Sequence, residues 1–296
     1  MTAPVVAGAT APHRYRVVGN PIAHSRSPEI HAAFARQTGE RIVYDRELIP
    51  IDPPAAFDDA VRAFAAAGGR GLNVTLPFKE RAFSLADRCS DRAQVAGAVN
   101  TLCLLPDGIA GDNTDGPGLV ADLTGRLGFS LAGRSVTILG AGGAARGIVY
   151  SLLSAGAAAL TVANRTVARA DALATELNRH PAMAGRLPRI AAAPLLEAPP
   201  ADLVINATSA GVLEGHLALA PALFRHCALA YDCLYSARPT TFMTEALAGR
   251  AAIVSDGLGM LVEQAAESFL LWRGVRPLTA PVYRLLRDAV SAVAPR

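Results

Sequence analysis

The sequence predicts a two-domain α/β protein with a cleft between the domains. Three observations carry this. Short apolar, strand-like runs alternate with helical stretches along most of the chain. A glycine-rich turn, "GAGGAARG", follows a charge-free run, "SVTIL", near mid-chain. The alternation before that turn is complete enough to form a domain of its own. At 296 residues, two ordinary domains are also a natural size.

The elements follow in order. "YRVVG" (15–19) reads as a first buried strand. "SPEIHAAFARQTG" reads as a helix with Ser27 as N-cap, Pro28 at the first helical position and Gly39 as the stop. "RIVYDRELI" is a second strand, and "PAAFDDAVRAFAAAGGRG" a helix ending in glycines. "GLNVTLP" is a third strand running into a proline-marked loop. A helical "FKERAFSLAD" comes next. "AVNTLCLLPDGIAGDN" then reads as a hairpin turning at Pro106-Asp107-Gly108. "DGPGLVADLTGRLG" (115–128) is a connecting helix. A second series starts at "SVTIL" and supplies the strands "ALTVAN", "PRIAAA", "DLVINAT", "LAYDCLY" and "AAIVSDG". The closing helix, "GMLVEQAAESFLLWRG", places Leu261, Ala265, Phe269 and Trp272 at helical spacing. Motif order sets the boundaries: residues 1–115 and 257–296 form one domain, and residues 116–256 the other.

Composition narrows the function. Hydrophobic residues make up 51% of the chain, which excludes a disordered protein. The net charge is +3 with Lys and Arg scattered, so nothing marks a nucleic-acid or membrane surface. Cys89, Cys103, Cys227 and Cys233 form no CxxC pair, and the reading is reduced, buried thiols in a cytoplasmic protein. "MTAPVVAGATAPH" lacks a basic start and a sustained apolar run, so it reads as a loose tail and not a signal peptide. The charge-free stretch 147–163 approaches a membrane span in length. Gly156 interrupts it, and a buried helix, a turn and a buried strand account for it better.

Gly140, Ala141, Gly142, Gly143, Ala144 and Ala145 match GxGxx(G/A) directly after a strand and at the start of a helix. Gly140 permits the tight turn, Gly142 lets phosphate approach the backbone, and Ala145 lets helix and strand pack closely. The helix N-terminus then offers free N–H groups and a partial positive charge to a pyrophosphate. This is the signature of a Rossmann-type, doubly wound nucleotide-binding domain. NAD-binding members place an acid at the end of the next strand. Here that strand ends in Asn164, Arg165 and Thr166, with Arg169 one turn on. An Arg fork binds a 2′-phosphate where a carboxylate would repel it, so the expected cofactor is NADP.

Several polar clusters lie outside the nucleotide unit. Ser25 and Ser27 stand two apart before a helix and can both donate to a carboxylate, although helix capping alone also explains them. Thr75 and Lys79 follow a strand end, where a lone Lys is usually solvated surface. Asn100 interrupts an apolar run and needs a partner. "GDNTDGPG" carries Asp112 and Asp115 like the start of a calcium loop. Its twelfth-position Glu is missing, so no metal is expected.

Taken in order, "GNPIAHSRSP", "NVTLPFKE", "AGAVNTL", "DNTDGPG", "GAGGAARG", "NRT", "INATSAG" and "GMLVEQA" resemble the shikimate dehydrogenase family. No single piece is diagnostic, but the ordered set is highly specific. The resemblance implies NADPH-dependent reduction of 3-dehydroshikimate to shikimate, on the route to aromatic amino acids. It implies that Ser25 and Ser27 hold the substrate carboxylate. It implies that Thr75, Asn100, Asp115 and Gln264 bind the ring hydroxyls, and that Tyr235 lies near the substrate, although "DCLYSARPT" is the loosest match. Lys79 and Asp115 are the implied catalytic pair. Residues 140–145, Asn164, Arg165, Thr166 and Arg169 would bind NADP, with Thr208, Gly257 and Met260 lining the nicotinamide side. The implied partners are small molecules, with the protein a monomer or homodimer.

Two other readings compete. A relative acting mainly on quinate, often with NAD, is disfavoured by Asn-Arg-Thr and the paired serines. A non-catalytic NADP sensor is disfavoured by the presence of both Lys79 and Asp115.

Overall fold

Two six-stranded sheets organise the chain in the computed structural model, which describes residues 11–185, 188–208, 217 and 219–292. Most of the expected N-terminal tail, and Ser209, Ala210 and Gly211 of "INATSAG", lie outside the described residues.

The first half runs β1 (His13–Gly19), α1 (Ser27–Thr38), β2 (Ile42–Leu48), α2 (Ala56–Ala66), β3 (Gly69–Val74), α3 (Lys79–Leu85), β4 (Arg88–Cys89), α4 (Asp91–Ala96), β5 (Thr101–Leu105) and β6 (Gly108–Asp112). Its sheet has the order β2-β1-β3-β5-β6-β4. β1 pairs in parallel with β2 and β3, while β5 is antiparallel to both β3 and β6. The expected hairpin is β5–β6, turning at Pro106-Asp107.

The chain then crosses over through α5 (Asp115–Ala121). The sequence predicts one helix over 115–128, but α5 passes into a π-helical turn, Asp122–Arg126. The turn opens on a buried acid. Asp122 is 1% exposed and takes a bidentate grip from Arg126, at 2.6 and 2.8 Å, plus a 2.8 Å hydrogen bond from Tyr231. The Leu127 N–H donates to the Asp122 carbonyl, the five-residue step of a π turn.

The second half runs β7 (Ser135–Leu139), α6 (Gly143–Ser154), β8 (Ala159–Asn164), α7 (Val167–Arg179), β9 (Ile190–Pro194), β10 (Leu203–Asn206), β11 (Leu229–Asp232), α8 (Thr241–Ala248) and β12 (Val254–Ser255). All pairings are parallel, in the order β12-β11-β10-β7-β8-β9. Counted from β7, this is the doubly wound 3-2-1-4-5-6 arrangement of dinucleotide-binding domains. The strands read as apolar runs because helices cover both faces: Ile138, Val162, Ile205 and Leu229 are all fully buried. The charge-free stretch 147–163 is most of α6, a turn at Gly156 and most of β8. Among the described residues, no helix is long and apolar enough to cross a membrane.

The chain finally returns to the first sheet. α9 (Leu258–Arg273) buries Leu258, Val262, Ala265 and Phe269 against Ile30 and Phe34 of α1, joined by Val282 and Leu286 of α10 (Ala280–Ala292). Trp272 Nε1 donates to the Leu102 carbonyl at 3.0 Å, tying α9 to β5. The four cysteines are free; Cys227 is buried, while Cys89, Cys103 and Cys233 are only half-buried, short of the full burial expected.

Candidate active site

Element ends from both halves of the chain converge on a cavity of about 360 Å³. Ser25, Ser27, Thr75, Lys79, Asn100, Asp115, Tyr235 and Gln264 all line it, as do Gly257 and Met260. These residues are far apart in sequence. Parallel strands bring them together, because the loops after β1 and β3 open on the same edge of the sheet.

The centre is an ion pair. Lys79 Nζ donates to Asp115 Oδ2 at 2.6 Å, and Asn100 Nδ2 donates to Asp115 Oδ1 at 2.8 Å. Lys79 opens α3 and Asp115 opens α5, so each side chain projects from a helix start. Asn100 cannot turn over. Its Oδ1 already accepts from Thr101 Oγ1 at 2.9 Å, the Thr114 N–H at 2.9 Å and Thr114 Oγ1 at 3.1 Å. Only its amide N–H faces Asp115, which answers the demand for a partner that the sequence posed.

α5 reaches this position by close approach. A Cβ at Gly118 would sit 2.6 Å from the Gln264 backbone nitrogen, so the glycine lets α5 lie against α9. Gln264 is thereby placed beside Thr114, with Thr114 Oγ1 and Gln264 Oε1 3.4 Å apart.

Ser25 and Ser27 line the same cavity. Ser27 is not the N-cap, as the sequence suggested. Arg26 holds that position and no side chain caps the helix; Ser27 is the first helical residue. Its hydroxyl instead accepts from Ser25 Oγ at 3.2 Å. A hydroxyl released from capping is available to a ligand. Tyr235 is 37% exposed at the cavity mouth, and burial pushes its phenol up, so it stays neutral.

The sequence reading missed Asn73, Cys233 and His24 among the lining residues. Asn73 carried a usable signal: it is a polar residue inside an apolar strand, as Asn100 is in its own run. Cys233 carried none. Burial pushes its thiol up, with Asp232 and Asp115 adding to the effect, so it is no thiolate nucleophile.

The nucleotide turn is not part of the cavity lining, but the helix it opens approaches it: a Cβ at Gly147 would lie 4.0 Å from Asp115 Oδ2. Gly140 has φ +105°, and a Cβ there would lie 3.1 Å from the Ala207 carbonyl. Glycine therefore meets both a backbone and a packing requirement. Ala145 is fully buried between helix and sheet. Ala141 is half-buried, while Gly142, Gly143 and Ala144 are exposed, with open space above both glycines. At the tip of β8, Asn164 Nδ2 donates to the Thr166 carbonyl at 3.0 Å and shapes the turn. Thr166 occupies the N-cap position of α7 without spending its hydroxyl on a cap. Arg165 and Arg169 are exposed, and neither forms an ion pair among the described residues. Thr208 hydrogen-bonds Asn206 Oδ1 through both its N–H and its hydroxyl, at 3.1 and 2.7 Å. The Met260 N–H donates to Tyr231 OH at 3.2 Å.

Three family models match the chain. Residues 17–102 match a shikimate dehydrogenase substrate binding domain, 122–213 match shikimate/quinate 5-dehydrogenase, and 257–287 match a shikimate 5′-dehydrogenase C-terminal domain. The chain belongs to the shikimate dehydrogenase family. Curated members of that family agree. It is 52% identical over 285 residues to a shikimate dehydrogenase (NADP(+)) of Aromatoleum aromaticum, covering 93% of this chain and 96% of the relative. It is 53% identical over 275 residues to one from Alkalilimnicola ehrlichii, covering 93% and 98%. Among solved structures, an Ael1 enzyme from Pseudomonas putida aligns with a TM-score of 0.84 at 41% identity, covering 93% of this chain and 98% of that one. A shikimate 5-dehydrogenase from Thermus thermophilus, solved with NADP(H) and shikimate, aligns with a TM-score of 0.80 at 35% identity, covering 94% and 99%. Within this shikimate dehydrogenase family member, Ser25, Ser27, Thr75, Lys79 and Asn100 fall in the stretch matched to the substrate binding domain. Asp115 and Tyr235 fall between the matched stretches, and the geometry alone places them in the cavity.

Proposed function

We propose that this chain catalyses the NADP-dependent, reversible reduction of 3-dehydroshikimate to shikimate, a step in aromatic amino acid biosynthesis. The single observation that carries the reading is the Lys79–Asp115 pair inside a cavity that Ser25 and Ser27 also line. That set of groups, in a cavity of about 360 Å³, suits a small ring bearing a carboxylate and a carbonyl or hydroxyl.

The residues fit NADP. The N-terminus of α6 and the open space at Gly142 and Gly143 suit a pyrophosphate, and exposed Arg165 and Arg169 suit a 2′-phosphate. Asn164 and Thr166 frame the adenosine end, and Thr208, Gly257 and Met260 the nicotinamide end. When bound, the cofactor supplies the hydride. The protein supplies the rest. Ser25 and Ser27 hold the carboxylate, while Thr75, Asn100, Gln264 and Tyr235 hold the ring. Lys79 stabilises the developing alkoxide and provides a proton at that oxygen. Asp115 receives Lys79 and keeps it aimed.

Supporting this division of labour, we place one domain at residues 1–115 and 257–296 and the other at 116–256. The two separate sheets and the return of α9 onto α1 support those bounds. We further place the protein in the cytoplasm, acting on small molecules as a monomer or homodimer.

The test is a steady-state assay with shikimate and quinate, each with NADP and with NAD. Preference for shikimate with NADP is expected; preference for quinate with NAD, or no turnover, would overturn the reading. Two variants test the carboxylate end. Ser25→Ala and Ser27→Ala should each raise KM for shikimate roughly tenfold, about 1.5 kcal/mol for a hydroxyl bonded to a charged group, with smaller effects on kcat. Unchanged KM with lowered Tm would mean that the serines only support the helix start.

A further inference from the structure

We propose that Tyr44, which lies outside the cavity lining, is a positioning residue for the ring-hydroxyl end of the site and acts through Asn73. The inference rests on the activity proposed above and adds to it a residue outside the expected site.

Tyr44 sits in the middle of β2. Its hydroxyl donates to Asn73 Oδ1 at 2.7 Å. Its ring stacks on His31 with centroids 4.2 Å apart and planes 6° apart, and makes a tilted contact with Trp272 at 6.3 Å. His31 is fully buried, and burial pushes its imidazole down to about 3, so the ring packs as a neutral plate. The phenol is therefore held in place from its face, and its hydroxyl is aimed by packing.

What the hydroxyl anchors is one end of an amide. Asn73 lines the cavity and is almost buried. An amide in that position can turn over and exchange its acceptor for its donors. With Oδ1 on Tyr44, Nδ2 faces inward, where it donates to Ser268 Oγ at 2.9 Å, Thr101 Oγ1 at 3.2 Å and the Asn100 carbonyl, an acceptor only, at 3.3 Å. Thr101 Oγ1 donates onward to Asn100 Oδ1, and Asn100 Nδ2 donates to Asp115 Oδ1. The bonds thus run in one sense from Tyr44 to the carboxylate that holds Lys79, with each acceptor's donor side turned toward the next group. In a buried chain of this kind the bonds strengthen one another, so losing one weakens its neighbours. A phenylalanine would fill the same space and keep the same stack, but it would leave the buried Asn73 Oδ1 without its hydroxyl donor, so that only the Nδ2 side of the amide stays held.

The experiment is Tyr44→Phe, assayed beside wild type for KM of shikimate, KM of NADP, kcat and Tm. Positioning predicts a rise in shikimate KM of about tenfold, with the NADP KM within about twofold of wild type. It also predicts coupling: in an Asn73→Ala background, Tyr44→Phe should add almost nothing to shikimate KM. A shikimate KM within twofold of wild type overturns the proposal. So does an equal rise in both KM values with a fallen Tm, which marks packing alone. Wild-type turnover with an unchanged variant sinks only the role of Tyr44; absence of wild-type turnover sinks the proposed activity and this inference with it.

Discussion

Lys79→Ala loses roughly 10²–10⁴ in kcat, the usual cost of removing a positioned general acid or base. The expectation follows from geometry. Lys79 is the cation paired with Asp115 within the cavity, at 2.6 Å, and both side chains are partly exposed, at 28% and 19%. They can therefore meet a substrate that enters, while their mutual contact keeps the ammonium aimed. Alanine removes the positive charge from the oxygen that gains an electron pair during reduction. It also leaves Asp115 with Asn100 as a remaining partner, which turns an attractive centre for an alkoxide into a repulsive one. Substrate binding should change less, because the proposed carboxylate ligands, Ser25 and Ser27, are retained. Turnover under saturating shikimate and NADP, together with a binding titration of shikimate, separates the two effects. A kcat within a few-fold of wild type would remove Lys79 from the chemistry.

Arg165→Ala should lower kcat/KM for NADPH about ten- to a hundredfold, roughly 1.5–3 kcal/mol for a charge-assisted contact. The Arg stands exposed at the tip of β8, beside a turn that Asn164 ties to Thr166. An exposed contact is partly screened, so the loss should shrink at high salt. NADH lacks the 2′-phosphate, and its kcat/KM should stay nearly unchanged. An acid at position 164 should go further, because it repels the phosphate and accepts from the ribose hydroxyls of NADH. Matched titrations with both cofactors at fixed ionic strength provide the check. Equal losses with both would make Arg165 a structural residue.

Much of the fold was legible, and the exceptions have causes. The parallel strands β7, β8, β10 and β11 announce themselves as apolar runs, because both faces are covered. α4 went unread because six residues are too few for periodicity, although Ser90 caps it and Gly97, at φ +58°, ends it. α10 had a signal, with Val282, Leu286 and Val290 buried every fourth residue. The π turn had none; the acid that opens it, Asp122, is bonded by Tyr231, a residue distant in sequence.

By itself, the sequence determined the local chemistry. It fixed where the glycine turn must lie, that the tip of β8 offers donors and no acid, and which polar residues interrupt apolar runs and need partners. These are properties of residue type and short spacing, which survive in any fold the chain adopts. The tertiary structure decided what those residues do together. Only the folded chain frees Ser27 from capping, since helix starts shift by one residue with tertiary context. Only the crossing of α5 against α9 at Gly118 sets Gln264 beside Thr114. And only the pairing of β1 with both β2 and β3 brings Tyr44 within reach of Asn73. Hydrogen bonds act over about 3 Å, whereas their partners here are separated by tens of residues, so the backbone path decides which of them meet.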